Sequence, residues 1–185
     1  ELYKRCKNET DVKNINKEFS NIRKIYKTNP SKNQLRNAFY KNHSADKNIS
    51  TTFKRYLIKK STRSESGVLV VTITLSPNKF SCSKNCYYCP QEYDLDGNQT
   101  QPRSYMSSEP AMRRALRYNF DVTGQFHDRI RCYINTGNID ITDKSPKKLE
   151  VILSGGTWEC YPQDERDKFI LECYYAANNF GINKS

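Results

Sequence analysis

Residues 67–90 read GVLVVTITLSPNKFSCSKNCYYCP, an apolar β-branched run closed by glycine and proline and followed by three cysteines. The first half, Gly67 to Pro77, predicts a buried strand, because Val, Ile and Thr fit a pleated sheet while Gly and Pro punctuate it. The second half, with Cys82, Cys86 and Cys89 at gaps of three and two residues, predicts a loop that gathers thiols just beyond that strand. A second apolar run, LEVILSGG at 149–156, ends in Gly155-Gly156 and predicts another buried strand. Between the two, Glu109-Pro110 suits a helix start, and apolar spacing predicts helices over 110–120 and 123–135. A last helix is expected from Pro162, with Phe169, Ile170, Cys173, Tyr174 and Ala177 on one face. Strand, loop, helix, strand, loop, helix is the order of parallel strands with helical crossovers. Ligands in such folds collect beyond the carboxyl ends of the strands, where the cysteines and the glycine pair both fall. Two strand–helix units cannot close a barrel. The expected fold class is therefore α/β, an incomplete (β/α) barrel over 67–185, preceded by a small basic helical region over 1–66.

That preceding region carries the charge. The chain has 185 residues and a net charge of +11; residues 1–66 hold 17 Lys and Arg against 6 Asp and Glu, and residues 67–185 hold 14 of each. A local cationic surplus favours a polyanionic partner such as a nucleic acid, since each phosphate neutralised releases a condensed counterion. The plainer reading is a solvated, lysine-rich surface. Val12, Ile15, Phe19, Ile22 and Ile25 recur at helical spacing, and the helix should stop at Thr28-Asn29-Pro30. Ser31 and Gln34 form a capping-box pattern ahead of Leu35, Ala38 and Phe39. Ser50-Thr51-Thr52 opens a third expected helix through Phe53, Tyr56 and Leu57.

No apolar run approaches membrane-spanning length, and the start does not resemble a signal peptide. Seven cysteines, an odd number in an unsignalled chain, point to a reducing compartment and hence to the cytoplasm. Cys6, Cys132, Cys160 and Cys173 read as small buried or half-buried side chains. The sequence begins at Glu1 rather than Met, which suggests a trimmed or partial chain.

Three close cysteines are a particular donor set. A structural zinc takes four ligands and a disulfide takes two. A [4Fe–4S] cluster has four irons, so three thiolates would leave one iron open to a small molecule. The alternative is zinc, with Cys132 or Cys160 as fourth ligand on a basic RNA-binding module; His43 and His127 have no zinc-knuckle spacing.

The spacing Cys-x3-Cys-x2-Cys, ahead of strand–helix alternation, resembles the radical S-adenosylmethionine (SAM) superfamily and implies a partial TIM barrel. The resemblance implies a [4Fe–4S] cluster on Cys82, Cys86 and Cys89, with SAM chelating the open iron and yielding a 5′-deoxyadenosyl radical. It also implies SAM contacts at Tyr88, before the third cysteine, and at Ser154, Gly155, Gly156 and Thr157. SGVLVVTITLSP, NCYYCP, SYMSSEPAMRRALRYNFD and KKLEVILSGGTW, in collinear order over residues 60–178, are similar to the catalytic subunit of Elongator. That family is one of radical SAM tRNA uridine-34 carboxymethyl-forming enzymes with a carboxyl-terminal acetyltransferase domain. The resemblance thus implies tRNA and acetyl-CoA as substrates, Elongator-like partner subunits, and Lys148 as an acetyl-CoA contact. Arg113, Arg114 and Arg117 could grip phosphates or pair with nearby carboxylates. The gap between the first two cysteines is shorter than in that family, and Gln91-Glu92 replace its glycine pair. Another radical SAM enzyme with a different substrate is the reading next in line.

Overall fold

The computed structural model describes residues 1–43, 46, 48–59, 66–80, 82–139 and 147–180. The chain divides into two compact units, one of Glu1–Gly67 with Cys132–Pro146 and one of Val68–Arg131 with Lys147–Ser185.

The first unit is helical. It contains α1 (Leu2–Cys6), α2 (Val12–Tyr26), α3 (Lys32–His43) and α4 (Thr51–Tyr56). Local chemistry sets their starts. The Asp11 carboxylate accepts from the Lys13 N–H at 2.8 Å, and the Ser50 hydroxyl accepts from Thr52 and Phe53. Ser31 and Gln34 form the expected reciprocal box: the Ser31 N–H donates to the Gln34 side chain at 2.8 Å and the Gln34 N–H to the Ser31 hydroxyl at 3.3 Å. α2 ends at Lys27 in the left-handed region, ahead of Pro30. Leu2, Cys6, Ile15, Phe39, Ile49, Phe53, Tyr56 and Leu57 make the core, with Phe19, Ile22 and Leu35 packed against it. Val12 and Ile25, expected on the buried face of α2, are exposed, because the core reaches only the middle of that helix. On the opposite side Lys13, Lys17, Lys24 and Lys27 stand in solvent.

The second unit is built on two strands, β1 (Val68–Thr74) and β2 (Lys148–Ser154), paired in parallel from Val68↔Lys148 to Thr74↔Ser154. The expected parallel pairing is therefore present. α5 (Pro110–Arg117) opens on Pro110 as its sequence suggests, and α6 (Val122–Thr136) follows after a break at Tyr118–Asp121. The last helix, α7, runs Gln163–Asn178 and buries Phe169, Cys173 and Ala176. Tyr174, Ile170 and Ala177, expected on that face, are exposed or half-buried. Phe169 and Cys173 are buried as expected, and Ala176 rather than Ala177 completes the stripe at four and three residues.

β1 is largely buried, as expected: Leu69, Val71, Ile73 and Thr74 are buried, and Val68, Val70 and Thr72 between them are half-buried. β2 is not. Only Ser154 of β2 is buried, and Leu149, Ile152 and Leu153 are exposed, which corrects the reading of LEVILSGG as a buried strand. The free edge of β1 is closed by side chains. Gln125 of α6 accepts from the Thr74 N–H and donates to the Thr74 carbonyl, each at 3.0 Å, while Arg114 reaches Thr72 O at 2.5 Å and Arg129 reaches Val70 O at 3.4 Å. No described helix is long and apolar enough to cross a membrane.

Candidate functional site

Parallel pairing in register carries both special sequences to one end of the sheet. The cysteine loop leaves β1 beyond Thr74, and the Gly155-Gly156 turn leaves β2 beyond Ser154, the partner of Thr74. Leu75 N–H still donates to Ser154 O at 2.8 Å, so the two exits stay side by side. Ser154 and Gly155 are buried, and Thr157 is exposed at the start of a short 3-10 turn, Trp158–Cys160.

Gly156 has φ +87°, a conformation that favours glycine. A Cβ there would lie 2.8 Å from the Phe80 ring and 3.2 Å from the Arg103 carbonyl. A Cβ at Gly155 would lie 3.0 Å from the Tyr161 hydroxyl. The bare backbone thus admits the base of the cysteine loop itself. Phe80 in turn packs on Tyr161, ring centroids 5.2 Å apart. The Tyr161 hydroxyl is buried, 2 % exposed for the residue, and has no hydrogen-bond partner among the described residues. Burial pushes its phenol well above the usual range.

A third segment closes over the loop. Arg103 donates to Lys84 O at 2.6 Å and to the Asn85 side chain, and Ser104, at φ +81°, lies 2.7 Å from the Cys89 thiol. Ser104 N–H returns to Pro90 O at 3.2 Å. Glu92 anchors the excursion between them by accepting from Ser107 N–H at 3.0 Å and from the Gln101 amide. Those bonds, Ser107 first, hold the Glu92 carboxyl below the usual carboxylate range. Nothing in the sequence assigns Arg103, Ser104 or Glu92 a role at the cysteine loop, although Ser104 opens the SYMSSEP stretch.

Cys82, Cys86 and Cys89 are all free thiols; Cys86 is exposed and the other two are half-buried. As a donor set they fit a cluster that takes three thiolates, and the unpartnered Tyr161 hydroxyl beside Gly155 fits a ligand at the same strand ends. The expected convergence of the three side chains is a different matter. No three His, Cys, Asp or Glu side chains among the described residues gather closely enough to hold a metal ion, and Cys89 is turned to Ser104. Tyr88 projects into solvent, 86 % exposed.

A fourth thiol stands close by. Cys160, half-buried on the turn after Gly156, has Cys82 as a neighbour. Burial and then this neighbour hold the Cys160 thiol above its ordinary range. Cys6 and Cys173 are buried as expected, whereas Cys132 is exposed, which corrects its reading as a buried or half-buried side chain. Lys148 opens β2 opposite Val68, exposed, at the far end of the sheet. Six residues of strand put it roughly 20 Å from Ser154. The arginines of α5 are divided: Arg114 serves the β1 edge, Arg117 pairs with Asp128 at 3.7 Å, and Arg113 is exposed.

Comparison with known proteins gives the relationship. The chain is 38% identical over 122 residues to a tRNA uridine(34) acetyltransferase of Methanocaldococcus infernus, covering 66% of this chain and 21% of that protein. It is 30% identical over 143 residues to Elongator complex protein 3 of Saccharomyces cerevisiae, covering 73% of this chain and 24% of that one. This chain is a homologue of Elongator complex protein 3. The corresponding Methanocaldococcus jannaschii protein, also named tRNA uridine(34) acetyltransferase, is 35% identical over 129 residues. The chain spans about a fifth to a quarter of the length of these relatives. No protein-family model matches it.

Proposed function

We propose that this chain is the cluster-binding part of a radical SAM transferase that modifies uridine-34 of tRNA, with acetyl-CoA as co-substrate and a carboxymethyl group as product. The observation that carries the reading is a loop of three free thiols at the carboxyl ends of two parallel strands, packed against the Gly155-Gly156 turn. Homology to proteins named for tRNA uridine(34) acetylation supports the substrate.

In this reading Cys82, Cys86 and Cys89 would hold three irons of a [4Fe–4S] cluster. When bound, such a cluster with SAM supplies an organic radical able to remove hydrogen from an unactivated C–H bond. The chain's own residues have the tasks of binding and exclusion. Ser154, Gly155, Gly156 and Thr157 offer backbone groups to the methionyl end of SAM. The Tyr161 hydroxyl can donate to an acceptor seated at Gly155, and Tyr88 offers a free ring face to the adenine. Arg103 and Ser104 fix the loop from the other side. Lys148 is the acetyl-CoA contact that the resemblance implies. The lysine stripe of α2 (Lys13, Lys17, Lys24 and Lys27) suits a tRNA backbone, which it would meet through exposed ammonium groups. Elongator-like subunits and a cytoplasmic setting complete the proposal.

A second reading is favoured by one observation. Cys160 beside Cys82 adds a fourth thiol, the number a structural zinc needs. Anaerobic reconstitution with iron and sulfide, then electron paramagnetic resonance of the reduced protein with and without SAM, separates the two. The radical SAM reading expects a cluster signal that changes when SAM is added. Stoichiometric zinc without a cluster would overturn it in favour of a zinc-bearing RNA-binding module.

A further inference from the structure

We propose that Cys82 and Cys160 form a reversible disulfide when the metal-free chain meets a peroxide, and that this bond switches off assembly of the thiol loop. Three observations place the two cysteines in one neighbourhood. β1 and β2 are hydrogen-bonded neighbours, and Cys82 and Cys160 follow their register partners Thr74 and Ser154 by similar lengths of chain. Phe80 and Tyr161, two residues before one thiol and one after the other, pack ring to ring. Cys82 is near enough to Cys160 to help hold its thiol above the ordinary range, and both thiols are free.

The surroundings favour this pair over the neighbouring ones. Cys89 is occupied with Ser104 at 2.7 Å, and Cys86 is exposed, whereas Phe80, two residues before Cys82, packs against the Gly156 turn. Cys82 and Cys160 are both half-buried, open enough for a small oxidant yet held by packed rings. In the reaction one thiol is oxidised by hydrogen peroxide to a sulfenic acid with loss of water. The second thiol then attacks that sulfur, the S–S bond forms, and a second water leaves. Two sulfurs are oxidised, one peroxide is reduced, and a dithiol reverses the change.

The consequence for cluster loading rests on the proposed function, because Cys82 would be one of three iron ligands. The disulfide itself does not. Trypsin separates the relevant cysteines: Cys82 falls on FSCSK (80–84), Cys86 and Cys89 on NCYYCPQEYDLDGNQTQPR (85–103), and Cys160 on LEVILSGGTWECYPQDER (149–166).

The experiment uses the full chain, stripped of metal with a chelator, fully reduced, then treated stepwise with hydrogen peroxide and quenched with N-ethylmaleimide. Peptide mass spectrometry should find 80–84 joined to 149–166 as the dominant link, with Cys82 and Cys160 losing free thiol together. Dithiothreitol should restore both. Cys160→Ser should abolish the link, and Cys86→Ser should keep it. A dominant link between 80–84 and 85–103, or sulfinic acid at Cys82 with Cys160 untouched, would overturn the proposal. Iron uptake is the second readout: the oxidised chain should load no cluster until dithiothreitol is added. Equal loading before and after reduction would overturn the switch. If the link forms but even the reduced chain binds no iron, the disulfide stands and the cluster reading falls.

Discussion

β1 and β2 pair with each other residue for residue, yet they live in different surroundings. In β1, Val71, Ile73 and Thr74 are out of contact with solvent, and the free edge is closed by Gln125, Arg114 and Arg129. Its partner carries residues just as apolar, but Ile152 and Leu153 are 43 % and 38 % exposed. An apolar β-branched run therefore sets the propensity to form a strand; the elements that fold over it set its burial. α5 and α6 supply that cover for β1. An open, apolar strand like β2 presents a surface that another strand or chain can cover.

The sharpest way to break the comparison is to truncate register partners, Ile73 and Leu153, which face each other across the ladder. Ile73→Ala should cost about 2–5 kcal/mol, because it opens a cavity in a packed interior. Leu153→Ala should cost under about 1 kcal/mol, since much of that side chain is already in water. Trp158, the sole tryptophan, lies in the same unit and reports on it by fluorescence during urea unfolding. Equal losses at the two positions would mean that β2 is covered in solution.

Gln125 tests the closed edge itself. Its amide satisfies both the N–H and the carbonyl of Thr74, a residue with no solvent access. Gln125→Ala leaves two buried backbone groups without partners and should cost about 2–4 kcal/mol. Gln125→Glu keeps an acceptor for the Thr74 N–H but sets a carboxyl against the carbonyl, so its deficit should grow as pH rises and the carboxyl ionises. A deficit independent of pH would indicate that the carboxyl turns away from Thr74.

Local patterns were the most legible part of the chain. The Ser31–Gln34 box and the Ser50 cap depend on a few consecutive residues, and both formed. Parallel pairing of 67–77 with 149–156 was legible from strand–helix order, because a crossover helix leaves little other choice. Gln125 was not legible: a polar residue inside a helix carries no mark of the strand it will clamp. Ala176 was missed on α7 for a related reason, since Ile170 and Tyr174 look more apolar yet point to solvent. At the site, the thiols and the glycine pair were visible as motifs. Arg103 and Ser104, which close the loop, come back to it through a fold in the chain that no spacing encodes. Cys160 was weighed only as a core side chain or a metal ligand, and its nearness to Cys82 required the register of the sheet.

The smallest expected effect is also the most informative about β2. Ile152→Lys changes an exposed side chain on an open strand, so stability should move by no more than about 0.5 kcal/mol. Association should respond instead. A charge on an exposed strand opposes edge-to-edge pairing, so the isolated chain should become more monomeric in sedimentation, with the salt dependence of a charge effect. The matched substitution on β1, Thr72→Lys, falls on a half-buried residue whose carbonyl Arg114 holds, and there the same charge should destabilise the fold rather than alter association. Two partner residues, Thr72 and Ile152, would then answer one substitution in opposite ways. If Ile152→Lys instead unfolds the unit, β2 is packed in solution against something that the isolated chain itself supplies.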